Sequence, residues 1–299
     1  MSHDLLQALV IFAAGLAAGT INTVVGSGTL ITFPTLLAFG YPPVVANVSN
    51  NVGLVPGAVS GAVGYRAELK GQRRRLLRLG AASLCGGLVG AVLLLVLPAG
   101  AFKEIVPALI GIALVMVVFQ PRLSKWVAAR QAARSGDSGG PSAGDGSAGG
   151  GGSGPAGAGS GAAGGGSGAV GVVTPVATQA IVQVGGPVLW LCVFLSGVYG
   201  GYFGAAQGVL LLGLMGVAFT DSLQRINATK NVLAGLVNGV AAIVFIVAGH
   251  VNWGVAGLIA AGSILGAQVG ARVGRKLPPW GLRVLIVCVG AAALVKLLA

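Results

Sequence analysis

Two polar pentapeptides interrupt apolar stretches of this chain, and both read N-x-[ST]-x-N: Asn47-Val48-Ser49-Asn50-Asn51 and Asn227-Ala228-Thr229-Lys230-Asn231. Amides and hydroxyls in such surroundings are costly unless they meet a partner or a water-lined cavity. Upstream of each motif lies a small-residue hairpin, Gly19 to Gly28 and Gly197 to Gly208, with further polar groups at Asn22, Thr23, Ser27, Tyr199 and Gln207. None of the six acidic residues, Asp4, Glu68, Glu104, Asp137, Asp145 and Asp221, lies deep in an apolar run, whereas a cation pathway calls for a carboxylate there. The chain offers instead amide and hydroxyl donors, glycine-bared backbone N–H groups, helix N-termini and one cation, Lys230. Such groups favour an anion. The candidate substrate-binding set is Asn22, Ser27, Asn47, Ser49, Asn51, Gln207, Asn227, Thr229, Lys230 and Asn231. A second reading stands beside it: Asn, Ser and Thr at helix starts cap backbone N–H groups, and Lys230 can snorkel to a headgroup layer.

No other chemistry competes. Cys85, Cys192 and Cys288 are scattered through apolar runs, and His3 and His250 are the only histidines, so neither metal-ligand spacing nor a His-based catalytic set exists. A phosphate-binding G-x-x-x-x-G-K-[ST] loop is absent from the sequence. The expectation is a non-enzyme without cofactor or metal.

The elements that must hold these residues are membrane helices. Hydrophobic residues make up 55% of the 299 and charged ones 8%, with a mean hydropathy of +0.91, which excludes a soluble globule. Long apolar runs occur at about Leu5 to Thr20, Val45 to Tyr65, Leu79 to Leu97, Phe102 to Phe119, Ile181 to Gly200, Ile226 to Ala248, Trp253 to Ala271 and Gly281 to Leu298. Thr29 to Phe39 and Val209 to Phe219 are shorter, reaching only about 16 Å as helices, half of a hydrocarbon core. Glycine spacings at Gly53, Gly57 and Gly61, at Gly235 and Gly239, and at Gly266, Gly270 and Gly274 read as close helix packing.

The net charge of +12 comes from clusters between these runs: Arg66 to Arg78, Arg122 to Arg134, and Arg272 to Arg283. No interleaved aromatics suggest base stacking, so the pattern is membrane topology rather than nucleic-acid binding. Placing all three clusters inside requires five crossings per half, and an odd number inverts the second half relative to the first. The expected fold is an all-α polytopic membrane protein. It has two inverted-topology repeats of about five transmembrane segments each, with short discontinuous helices and Gly-rich hairpins. The first repeat covers residues 1–134, a flexible cytoplasmic Gly/Ser-rich linker 135–170, and the second repeat 171–299. Seventeen of the 34 residues from Ser135 to Gly168 are glycine, a composition that buries no apolar area.

The run Gly19-Thr-Ile-Asn-Thr-Val-Val-Gly-Ser-Gly-Thr-Leu-Ile-Thr-Phe-Pro34, followed by Pro42-Pro43 and Ala46-Asn47, resembles the first half of the TauE/SafE family of bacterial membrane permeases. Gly200-Gly-Tyr-Phe-Gly204-Ala-Ala-Gln-Gly208 with Arg225-Ile-Asn-Ala-Thr229-Lys-Asn231 resembles its second. Where many relatives have a Gly-Gly-Gly hairpin, this chain has Gly26-Ser27-Gly28 and Gly204-Ala205-Ala206. The resemblance implies a multi-pass protein of the bacterial inner membrane that exports sulfite, organosulfonates or related anions by alternating access. Its partners would be a small anion and the lipid bilayer, with no nucleic acid. A passive anion channel and a non-transporting accessory membrane protein are the alternatives.

Overall fold

The computed structural model describes residues 3–137, 186–219, 221–273, 284, 286–291 and 294–295. The expected linker from residue 138 onward, residues 181–185, Arg275 and half of the last apolar run lie outside the described residues. Among those described there is no strand. The helices are α1 (His3–Val24), α2 (Thr29–Ala38), α3 (Pro43–Gly64), α4 (Arg73–Val96), α5 (Ala99–Asp137), α6 (Pro187–Tyr202), α7 (Gln207–Ala218), α8 (Leu223–Ala248) and α9 (Trp253–Val273). Five are long and apolar enough to cross a membrane: Asp4–Val24, Arg73–Val96, Gly100–Arg122, Leu223–Ala248 and Trp253–Arg272. Helix α3 has 22 residues, but its second and third turns carry the polar Asn47–Asn51 motif.

The described apolar runs become helices, with two large shifts of boundary. Helix α5 continues past Phe119 to Asp137, so the Arg122 to Arg134 cluster is helical. Helix α4 begins at Arg73, not Leu79, so Arg73, Arg74, Arg75 and Arg78 lie in its first two turns rather than in a loop. Arginine has good helix propensity, and its long stem lets the guanidinium reach a headgroup layer from a helix start.

The short helices turn back. Gln7, near the start of α1, donates to the Tyr41 hydroxyl after α2 (3.1 Å), so α1 and α2 form a hairpin closed at Val25 to Gly28. Asp221, just after α7, pairs with Arg75 at the start of α4, which returns α7 to the end where α4 begins. The two hairpin tips touch at the centre: the Gly208 N–H donates to the Gly26 carbonyl (3.1 Å). Phe33 of α2 packs edge-on against Phe203 of the second hairpin, with centroids 5.2 Å apart.

Packing between the halves is by glycine. Helix α1 lies along α9, where Cβ atoms at Gly15 and Gly19 would fall 2.9 Å from the Ile259 Cα and 2.7 Å from the Ser263 Cα. Gly266 and Gly270 of α9 face Leu16 and Thr20 in return, and the Thr20 hydroxyl donates to the Gly266 carbonyl (2.9 Å). Helix α4 meets α6 in the same manner, Gly86, Gly87 and Gly90 against Gly197, Val198 and Gly201. Backbones this close gain dispersion that lipid tails cannot offer. The Gly53 and Gly57 stripe faces α9, whereas Gly239 has nothing within 4 Å.

A pair of substitutions separates these roles. Gly86→Ala is expected to lower stability by about 1–3 kcal/mol through overpacking, because its Cβ would press on the Phe194 carbonyl. Gly239→Ala should raise it by up to about 1 kcal/mol through helix propensity. Thermal midpoints in detergent, moving in opposite directions, check both.

Candidate functional site

The N-x-[ST]-x-N motifs sit in the second and third turns of α3 and α8, and each reaches across to the other half of the chain. Asn47 Nδ2 donates to the Tyr202 carbonyl at the end of α6 (3.0 Å). Asn227 Nδ2 donates to the Thr23 carbonyl near the end of α1 (3.0 Å) and to the Tyr65 hydroxyl (3.2 Å). In both cases the first Asn of a motif satisfies a carbonyl that the last turn of a helix leaves without an intrahelical donor. The third positions also correspond. The Ser49 hydroxyl accepts from the N–H of Asn252 (2.9 Å), the residue whose side chain caps α9 at Val255 (3.1 Å). The Thr229 hydroxyl donates to Gln72 Oε1 (2.8 Å), and Gln72 is the residue preceding α4.

The fourth positions diverge. Asn50 stays within its own half, donating to the Thr29 hydroxyl (3.3 Å) and accepting from Thr32. Lys230 crosses over, its Nζ lying 3.2 Å from the Asn22 carbonyl and 3.4 Å from that of Thr23. Asn231 Nδ2 adds a third donor to the Thr23 carbonyl (3.3 Å). Lys230 is 1% exposed, and among the described residues no carboxylate forms an ion pair with it. Its charge is offset by the negative C-terminal end of α1, where the unpaired carbonyls gather.

Beside this cluster, where the hairpin tips touch, is a cavity of about 20 Å³ lined by Asn22, Gly26, Gly208, Lys230, Asn231, Asn238 and Ser263, among others. That is room for roughly one water. Of the ten candidate residues, Asn22, Lys230 and Asn231 line it, and Asn227 joins through the shared Thr23 carbonyl. Ser27 and Gln207 lie in the adjoining hairpins; both are buried, and Ser27 Oγ and Gln207 Nε2 have no hydrogen-bond partner among the described residues. Asn47 and Ser49 are engaged elsewhere, as is Thr229, while Asn51 Oδ1 is buried without a partner. The glycine-bared donors are largely used: the Gly28 N–H donates to Asn22 Oδ1 (3.3 Å) and that of Gly208 to Gly26.

Three polar lining residues fall outside the ten selected: Thr23 and Asn238, whose polarity inside an apolar run the sequence does show, and Ser263. Asn238 stands seven residues after Asn231, two turns along the same face of α8, a spacing that marks it. Ser263 is one small residue in a glycine-rich helix, indistinguishable there from packing; its hydroxyl donates to the Gly53 carbonyl (3.0 Å).

The Thr229–Gln72 bond carries its own expectation. Thr229→Val and Gln72→Leu should each destabilise the protein by about 1 kcal/mol, and the double variant by clearly less than the sum. Unfolding free energies of the four proteins, read as a double-mutant cycle, test the coupling.

Comparison with known proteins gives a consistent picture. The model of the family described as Sulfite exporter TauE/SafE matches residues 11–183 and again 175–297. "Probable membrane transporter protein ORF9" of Sinorhizobium sp is 27% identical over 293 residues, 97% of this chain and 91% of that protein. "Probable membrane transporter protein YfcA" of Escherichia coli (strain K12) is 27% identical over 301 residues, 97% of this chain and 88% of that protein. A "Probable membrane transporter protein" of Haemophilus influenzae is 29% identical over 120 residues, 40% of this chain and 46% of its own length. No solved structure matches the chain.

Proposed function

This chain belongs to the sulfite exporter TauE/SafE family of membrane transporters, and from that premise we propose that it is a secondary transporter exporting a small anion, sulfite or an organosulfonate, by alternating access. The observation that carries the anion is Lys230, a buried cation without a carboxylate partner among the described residues, at a cavity where both hairpins meet. In low dielectric an anion beside such an ammonium gains far more than in water. Asn22, Asn227, Asn231 and, with polar atoms left unpartnered among the described residues, Ser27, Gln207 and Asn51 complete the binding set, with Asn47, Ser49 and Thr229 holding the helices that frame it. A cavity of about 20 Å³ is too small for a sulfonate, which makes this arrangement a closed state without room for cargo.

An inverted repeat would supply the mechanism. Its support lies in the reciprocal bonds: the first Asn of each motif goes to the end of the other half's first helix, and the third residue to the start of the other half's fourth. Two-fold pseudosymmetry generates such pairs, and the double match of the family model accords with it. Alternating access then follows if the Ser49–Asn252 and Thr229–Gln72 contacts, at opposite ends of the bundle, open in turn. The protein would lie in the inner membrane with residues 135–170 cytoplasmic, linking repeats 1–134 and 171–299.

The test is flux of labelled sulfite and several sulfonates in liposomes. A transporter gives saturable flux that supports counterflow. Non-saturating conductance would make the protein a channel, and no flux of any tested anion would leave the accessory reading in its place.

A further inference from the structure

A second, larger cavity of about 440 Å³ lies at the end of the bundle where α4, α6 and α8 begin. It shares no lining residue with the central cavity. Four arginines line it: Arg74, Arg75 and Arg78 from the first two turns of α4, and Arg225 from the first turn of α8. Arg75 and Arg225 are fixed in place. Asp221 pairs with both, Arg75 lies 3.7 Å over the Phe219 ring and donates to Gln72 Oε1 (3.1 Å), and Arg225 donates to the Lys70 carbonyl (3.3 Å). Arg74 and Arg78, one turn apart on the same face, are exposed and form no ion pair among the described residues. One carboxylate against four cations leaves the cavity strongly positive, reinforced by three helix starts.

Part of the lining is apolar. Leu79, Leu189 and Trp190 supply it, and Trp190 stacks on Phe194 one turn further along α6 (5.8 Å between centroids). Leu77 and Leu191, 65% and 51% exposed, continue the apolar surface outward. An indole at the rim beside arginines is the arrangement of a headgroup layer meeting hydrocarbon.

We propose that this cavity binds the phosphate of an anionic phospholipid, with Arg74 and Arg78 on the phosphate and the acyl chains along Leu79, Leu189 and Trp190. Planar guanidinium groups suit a phosphodiester, and the apolar part of the lining is what a free phosphate has no use for. The proposal is independent of which anion the central cavity carries. Because Arg75 and Arg225 also join the start of α4 to the loop before α8, a bound lipid would brace the same end of the bundle as the Thr229–Gln72 contact.

The experiment adds phosphatidylglycerol or phosphatidylcholine to the purified full-length protein in detergent and follows bound lipid by native mass spectrometry and stability by thermal midpoint. Phosphatidylglycerol is expected to be retained and to raise the midpoint, phosphatidylcholine not. Arg74→Gln/Arg78→Gln should weaken the apparent affinity by about tenfold or more, as loss of two charge-assisted contacts implies. Arg66→Gln/Arg272→Gln, which empties the other basic hollow of its arginines, should leave it unchanged. Equal retention of the two lipids, or equal loss in both double variants, would overturn the site. A midpoint rise of the same size with inorganic phosphate alone would overturn the lipid as its occupant.

Discussion

Lys230→Asn is expected to lower anion flux by about 30-fold or more while the protein keeps its fold. The variant places an amide where the matching motif already carries Asn50, so it removes charge while keeping a hydrogen-bond donor. A charge-assisted hydrogen bond to a bound anion contributes about 2 kcal/mol, and each 1.4 kcal/mol is tenfold. Stability should change by less than about 2 kcal/mol, because two effects oppose each other. The end of α1 loses a cation, but the Thr23 carbonyl keeps its donors from Asn227 and Asn231, and an unpaired charge is no longer buried. Flux in liposomes and thermal midpoint in detergent, measured on the same preparation, separate the roles. Lost flux at preserved stability marks an anion site. Wild-type flux would reduce Lys230 to a cap on α1.

Gly26→Ala should be the most damaging single-methyl change in the protein. Gly26 has φ +93°, and a Cβ there would lie 2.5 Å from the Gly208 Cα. Two penalties add: about 1–2 kcal/mol for a non-glycine residue in left-handed backbone and about 1–3 kcal/mol for forcing the hairpin tips apart. Gly40→Ala isolates the first, since Gly40 has φ +82° with nothing within 4 Å of the added methyl. Gly208→Ala isolates the second, its Cβ falling 2.5 Å from the Gly26 Cα. The expected order of thermal midpoints is Gly40→Ala above Gly208→Ala above Gly26→Ala. Transport should fail in the last two and survive in the first, because only those two disturb the tips beside the cavity. If Gly26→Ala and Gly40→Ala melt alike, the close approach of the hairpins is not what holds the centre together.

Much of the architecture was legible because membrane helices announce themselves locally. Apolar runs located α1 to α9, missing the basic first turns of α4 and the basic extension of α5 to Asp137, and the shortness of Thr29 to Phe39 and Val209 to Phe219 marked α2 and α7 as partial elements. Gly53, Gly57, Gly266 and Gly270 read correctly as packing, a Cβ at Gly266 falling 2.0 Å from the Leu16 carbonyl oxygen, yet Gly86 and Gly90 on α4 and Gly15 and Gly19 on α1 went unselected. Glycine spacing shows that a close approach is possible, not which helix makes it. The site divides in the same way. The polar set was found by its cost in an apolar run, which is a property of each residue alone. Whether Thr229 turned inward to the cavity or outward to Gln72 depended on a partner 157 residues away, and no periodicity encodes that.

The sequence by itself determined that this is a helical, glycine-packed chain with two related polar motifs, one basic end, and a single intramembrane cation. Hydropathy and residue type suffice for that, since burying a charge or an amide has the same cost wherever the chain folds. Only the tertiary structure decided that the motifs grip opposite halves, that Lys230 rests on the carbonyls ending α1, and that the hairpin tips meet at Gly26 and Gly208. Those are contacts between residues far apart in sequence, chosen by how two halves fit together.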